Sequence, residues 1–221
     1  MPKGWLYDDG TLIFEPGERS PDVPFRTNFV SHPEELKASL VPSNFKDFLP
    51  SYELSTSGHQ ITTLIWTKEK QIAIYGDWAA SRPRVPPLHA SLKYSEYLEG
   101  EIRRWESFPQ EMRQMLARIY DMRNVSGRSW LPKYIEVIFS PYDYAPAPSI
   151  EWPKEWPGLS SALANRRDND LFSVFVPSDK FQKLNSFLAT RHEMGAVLID
   201  GKKMSASIRF PFPSEAEWLA K

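Results

Sequence analysis

The side chains best suited to chemistry in this sequence are carboxylates and tryptophans, and many of them gather in one stretch. Tyr142-Asp143-Tyr144 is followed by Glu151-Trp152-Pro153 and then by Glu155-Trp156-Pro157, so a proline-rich segment repeats the tripeptide Glu-Trp-Pro. Tryptophan and tyrosine bury much area at little entropic cost, and carboxylates complement a basic partner, which makes this a candidate binding surface. A structural reading weighs equally: the prolines forbid regular structure, and the tryptophans pin a long loop onto its own domain. Gly76-Asp77-Trp78, at the end of an expected strand, is a second acidic-aromatic candidate.

Catalytic signatures are scarce by comparison. Asp168-Asn169-Asp170 and Asp8-Asp9 bring carboxylates close enough for a divalent cation, but neither lies in a calcium loop with its glycine and closing glutamate. Turns, in which Asp and Asn bond their own backbone, are the better reading. His32, His59, His89 and His192 are scattered without H-E-x-x-H spacing, and His192-Glu193 is the nearest approach. There is no G-x-S-x-G turn and no glycine-rich phosphate loop after a strand. The absence of cysteine removes disulfides, thiol nucleophiles and thiolate metal sites. The expectation is a protein without metal, cofactor or catalysis of its own. The alternative is a small hydrolase or nuclease-like enzyme that uses Asp168 and Asp170 with His192, which requires one pocket to collect them.

Arg103, Arg104, Arg113, Arg118, Arg123 and Arg128 lie near Trp105 and Trp130, a mixture that suits nucleic acid. Glu96, Glu99, Glu101, Glu106 and Glu111 share those helices at pairing distances, so a solvated, salt-bridged surface is favoured and nucleic acid is not the expected partner. Net charge is −1 over 221 residues, which gives no global field to gather nucleic acid or an anionic membrane. No apolar run is long enough to span a bilayer, and Met1-Pro2-Lys3-Gly4-Trp5 lacks a signal-peptide core. A cytoplasmic location is expected.

The elements that must position these residues can be read from periodicity. Leu171 to Val176 is a nearly continuous apolar run that reads as a strand covered on both faces, followed by Pro177 and by a helix bearing Phe181, Leu184, Phe187 and Leu188, with Ser178 as its expected cap. Ala196 to Ile199 leads into Asp200-Gly201, a strong hairpin signal, and Met204, Ala206, Ile208 and Phe210 alternate beyond it. Upstream, Trp5 to Phe14 reads as a hairpin about Asp9-Gly10. Ser31 and Glu34 propose a capping box for a helix with Leu36 and Leu40. Ile61 to Trp66 pairs with Gln71 to Tyr75 through Lys68-Glu69-Lys70, and two helices meet at Ser107 to Gln110. Tyr134 to Phe139 supplies a further strand. Helices grouped between runs of strands give an α+β fold: an antiparallel sheet with helices packed on one face, in a single compact domain. The proline-rich Ser81 to Leu88, after the break at Ser55 to Gly58, also allows two lobes, 1–80 and 90–221.

Tyr75-Gly76-Asp77-Trp78, the Glu-Trp-Pro pair and the cysteine-free α+β layout resemble, over most of the chain, the immunity-protein 52 family of bacterial polymorphic toxin and type VI secretion systems. The resemblance implies a cytoplasmic protein that binds the active region of a cognate toxin, of a restriction-endonuclease-like class, and blocks it. Such a nuclease exposes a basic, phosphate-binding cleft, which acidic side chains among aromatic anchors complement. The contacts implied are Asp143, Glu151, Trp152, Glu155 and Trp156, then Asp77 and Trp78.

Overall fold

The computed structural model describes residues 4–17, 20, 22–54, 61–67, 70–80, 92–168 and 170–213. His59, His89, the Ser55 to Gly58 break, Lys68-Glu69 and the Ser81 to Leu88 segment lie outside them. The expected single domain resolves into two compact units, Met1–Gly17 with Thr27–Arg128, and Glu18–Arg26 with Ser129–Lys221. Both mix helices with largely antiparallel sheets, so the α+β class holds. The division falls at Arg128 and Ser129 rather than in the proline-rich segment, because the helices that follow that segment share a core with the strands before it.

In the first unit, β1 (Gly4–Leu6) and β2 (Thr11–Phe14) form the expected hairpin, with Trp5 opposite Ile13. Its turn depends on Gly10, which has φ +88° and sits so close to the carbonyl of Val30 that a Cβ there would lie 2.3 Å from it. Strand β3 (Phe25–Phe29) contains the return to the first unit, between Arg26 and Thr27, and α1 (Pro33–Leu40) follows. Its N-cap is His32 rather than Ser31, and no side chain caps it. Lys37 instead ties the helix down, with Nζ 2.8 Å from Glu34 and 2.6 Å from Asp8. Strands β4 (Ser51–Glu53), β5 (Ile61–Trp66) and β6 (Gln71–Tyr75) make a sheet in the order β4-β6-β5, antiparallel between β5 and β6 and parallel between β4 and β6.

Two helices follow, α2 (Leu92–Ser107) and α3 (Gln110–Asp121). They are separate as expected, but the Ser107 hydroxyl donates back to the carbonyl of Arg104 at 2.8 Å, and Pro109 is the N-cap of α3. The apolar stripe of α3, Met112, Met115 and Leu116, closes on Tyr52, Ile72 and Ile74 from one face of the sheet. Tyr52 meets Phe108 edge-on at 5.1 Å.

The last change of unit lies in β7 (Arg128–Trp130), between Arg128 and Ser129. Beyond it come β8 (Tyr134–Pro141), β9 (Ala147–Glu151), β10 (Ala164–Asp168), β11 (Leu171–Pro177), α4 (Phe181–Ala189), β12 (Gly195–Ile199) and β13 (Lys202–Arg209). The six strands form one sheet in the order β10-β11-β8-β13-β12-β9, antiparallel except where β9 lies parallel to β12. Ile135, Val137 and Phe139 of β8 share one face with Phe172, Val174 and Val176 of β11 and with Met204 and Ala206 of β13, and α4 packs Phe181 and Leu184 onto that face. Strand β11 is buried on both sides, with Ser173 and Phe175 on the other face.

The Asp200-Gly201 turn has φ of +48° and +75° at its two central residues, the left-handed pair that a two-residue hairpin needs. A 3-10 turn, Ser178–Lys180, precedes α4 without a side-chain cap. Phe25, Trp130, Phe181, Phe210 and Phe212 form an aromatic cluster in which Trp130 stacks on Phe212 at 5.5 Å.

Candidate partner-binding site

The Glu-Trp-Pro stretch is more regular than its prolines suggest. Residues 147–151 form β9, and Pro148 is tolerated because β9 is an edge strand, where a missing N–H need not interrupt a ladder. The backbone amide of Trp152 extends the pairing by donating to the carbonyl of Leu198 at 2.9 Å. The Trp152 ring then turns into the core. It is only 7% exposed and meets Phe139 at 5.1 Å, Trp156 at 5.0 Å and Phe187 of α4 at 5.7 Å, all edge-on.

Its Nε1–H finds the carbonyl of Pro157 at 3.0 Å, so the polar end of the indole is satisfied inside its own loop. Trp152 is therefore an anchor of the core and is corrected as a partner contact, since a ring this buried has no surface to offer. Trp156, half-buried, packs on the same cluster through Phe187 at 5.5 Å.

A second tie holds the far side of the loop. The Asp200 carboxylate accepts the amide of Leu159 at 2.7 Å, and a Cβ on Gly158 would lie 2.8 Å from that carboxylate, so a larger residue there would have to displace the Asp200 side chain from this bond. The hairpin signal and the proline-rich loop thus depend on one another: the residue that makes the β12–β13 turn also fastens the segment crossing beside it.

Strand registers show which carboxylates share a neighbourhood. Pro141 pairs with Met204, Glu151 with Leu198, Ile199 with Lys202 and Asp168 with Leu171. The turns carrying Asp143, Asp168, Asp170 and Asp200 and the end of β9 at Glu151 therefore leave the sheet at the same end. Asp143, Glu151 and Glu155 are exposed there or on the loop that starts there, and Tyr144 is 83% exposed. Asp170 is engaged by Arg166 at 3.4 Å and Lys202 at 3.6 Å. His192 lies beyond Gly195, at the opposite end of β12, and its Nδ1 accepts the amide of Met194 at 3.1 Å. The constellation of Asp168 and Asp170 with His192 is not brought together, being separated by the length of β12. Among the described residues no group of three or more His, Cys, Asp or Glu is placed to hold a metal ion.

Asp77 and Trp78 belong to the first unit and are bound up in their own turn. Gly76 has φ +101°, Asp77 accepts the amide of Ala79 at 2.9 Å, and Trp78 meets Tyr120 edge-on at 6.4 Å. The carbonyl of Trp78 receives Arg113 at 2.7 Å, and that guanidinium also donates to Trp105 O at 2.8 Å and lies 4.2 Å over the Trp105 ring. Burial holds the Arg113 pKa below its ordinary value. Arg104 pairs with Glu101 at 2.9 Å, and Arg118 donates to Ser39 O at 2.6 Å. Three arginines of the helical block are therefore committed within the fold rather than arrayed for phosphates.

One polar cluster has no counterpart in the sequence reading. Glu136, 1% exposed, lies on the face of the six-stranded sheet away from α4. It accepts Arg167, Ser173 Oγ at 2.5 Å and Arg209 at 2.5 Å, where Arg209 is its direct cross-strand partner. The register shift between Arg166 and Asp168 bulges β10 at Arg167. A lone glutamate inside the apolar run Tyr134 to Phe139, with Arg209 ending an alternating strand, was the signal available. With three donors on it, this carboxylate has a structural role.

No protein-family model, curated protein or solved structure matches the chain. Among the described residues no helix is long and apolar enough to cross a membrane.

Proposed function

We propose that the protein is a cytoplasmic immunity protein, without catalysis of its own, that binds a cognate bacterial toxin of nuclease type and blocks it. The observation that carries this reading is the pinned loop. Trp152 and Asp200 fix residues 147–159 on the six-stranded sheet, leaving Asp143, Glu151 and Glu155 in solvent with Tyr144 beside Asp143. Carboxylates held in place, rather than on a mobile tail, cost less to order on binding and suit a basic, phosphate-binding cleft. The contacts are accordingly Asp143, Glu151, Glu155 and the open side of Trp156.

The test starts with the tagged protein recovered from its host lysate after a moderate-salt wash, with mass spectrometry of the bound material. A single stoichiometric toxin whose lethality is relieved by co-production of this protein supports the reading. Recovery of nucleic acid, of nothing, or of a protein whose action is unaffected overturns it. In the same assay, Asp143→Lys combined with Glu151→Lys abolishes protection if this surface makes the contact.

A further inference from the structure

We propose that the groove between the Trp156 loop and the start of α4 is a peptide-docking groove, occupied by an extended segment of a protein partner with an aliphatic side chain beside a lysine or arginine. The proposal rests on the binding function above and names what one part of that surface takes. The groove has a volume of about 500 Å³. Trp156, Pro157, Ala162, Leu163 and Pro177 give it apolar walls, with Ser161 among them. These walls are preorganised: Trp156 is held by Trp152 and Phe187, the two prolines have fixed φ, and the carbonyl of Leu163 accepts the amide of Phe175 at 2.8 Å.

Two observations specify the occupant. The hydroxyl of Ser161 is sealed from solvent and has no hydrogen-bond partner, an unfavourable state for a polar group. Rotation about a single χ1 moves that oxygen, and the backbone of an extended segment lying in the groove offers both a donor and an acceptor for it. The rim supplies the sign of charge. Lys180 shares its charge with Asp179 at 3.4 Å, while Glu155 is exposed and has no ion-pair partner among the described residues. An apolar floor with an uncompensated carboxylate at its edge complements an aliphatic side chain next to a cation, the pairing that a basic protein surface presents.

Calorimetry on the full chain with three blocked octapeptides provides the test: four Lys-Leu repeats, four Glu-Leu repeats and four Lys-Ser repeats. The Lys-Leu peptide binds, and the other two bind at least about tenfold more weakly. Ala162→Trp, at an exposed position whose indole would fill the groove, weakens Lys-Leu binding about tenfold or more, and Glu155→Lys does the same while narrowing the gap to the Glu-Leu peptide. Thermal melts show that both variants remain folded. Absence of Lys-Leu binding, equal binding of the Glu-Leu peptide, or indifference to Ala162→Trp overturns the proposal. The two readings fail separately. If Asp143→Lys with Glu151→Lys abolishes toxin protection but Ala162→Trp changes neither protection nor peptide binding, the groove assignment falls and the immunity reading stands. If the Lys-Leu peptide seats in the groove but no toxin is neutralised, the reverse holds.

Discussion

At the end of β6, the carboxylate of Asp77 turns back onto the amide of Ala79, and Trp78 lies half-buried against Tyr120. At the end of β9 the same two residue types divide differently: Trp152 fills the core, and Glu151 is left in solvent. Both sites pair an acid with an indole at a strand terminus, so composition cannot separate them. What separates them is how the local backbone is satisfied. Asp77 has one side-chain carbon fewer than a glutamate and caps its own turn, which engages one of its carboxylate oxygens and holds the side chain against its own backbone. Beside Glu151 the loop is closed by other means, Trp152 Nε1 on Pro157 and Asp200 on Leu159, and the glutamates remain free. A surface carboxylate becomes available to a partner when something else has already done the structural bonding.

The largest test of that contrast is truncation of the indoles. Trp152→Ala removes a 7%-exposed ring from the centre of a cluster and should cost about 3–5 kcal/mol of stability in urea unfolding. Trp78→Ala, at a half-buried site, should cost clearly less. Equal costs would mean that the two tryptophans do the same job and that the comparison fails. Asp77→Ala should then lose about 1 kcal/mol with its turn hydrogen bond, whereas Glu151→Ala should stay within about 0.5 kcal/mol. The double reversal Asp143→Lys with Glu151→Lys should be equally mild for stability while lowering affinity for a basic partner about tenfold or more, read by calorimetry at moderate salt. A large loss of stability would show that those carboxylates are structural after all.

Much of this arrangement was legible from residue patterns, and its limits have physical causes. Strand β11, the Asp200-Gly201 hairpin and the apolar stripe of α3 all carry period or turn chemistry strong enough to survive any tertiary context. Edge strands carry less. Ala147–Glu151 contains a proline, and Ala164–Asp168 is the polar run Ala-Asn-Arg-Arg-Asp, so neither displays the alternation of a half-buried strand. The parallel pairings β4–β6 and β9–β12 join strands far apart in sequence, which local patterns do not encode. The fate of Trp152 was undecidable for the same reason: a tryptophan in a proline-rich segment serves equally well as a contact or an anchor until Phe139 and Phe187 are seen around it. The capping serines Ser31 and Ser178 failed differently, because His32 begins α1, and a 3-10 turn leads into α4, with no side-chain cap at all.

The smallest effect concerns carboxylates that, like Asp77, are already spoken for. Asp8 and Glu34 both hydrogen-bond Lys37 Nζ, and these bonds, Asp8 first, raise the lysine pKa above its ordinary 10.5 against a smaller opposing effect of burial. A base whose pKa is raised on folding adds stability that is complete below the unfolded value and disappears as pH climbs through the folded one. The three side chains are 31%, 59% and 79% exposed, so solvent screening keeps the contribution under about 1 kcal/mol. The stability difference between the wild-type chain and Lys37→Met should therefore be small and flat from about pH 7 to 10, and should shrink toward zero above the 10.5 reference. Added salt should reduce it at every pH. Glu151→Gln, at a carboxylate with no such partner, should show no dependence on pH across that range, and a matching alkaline collapse there would mean that Glu151 is also engaged within the fold.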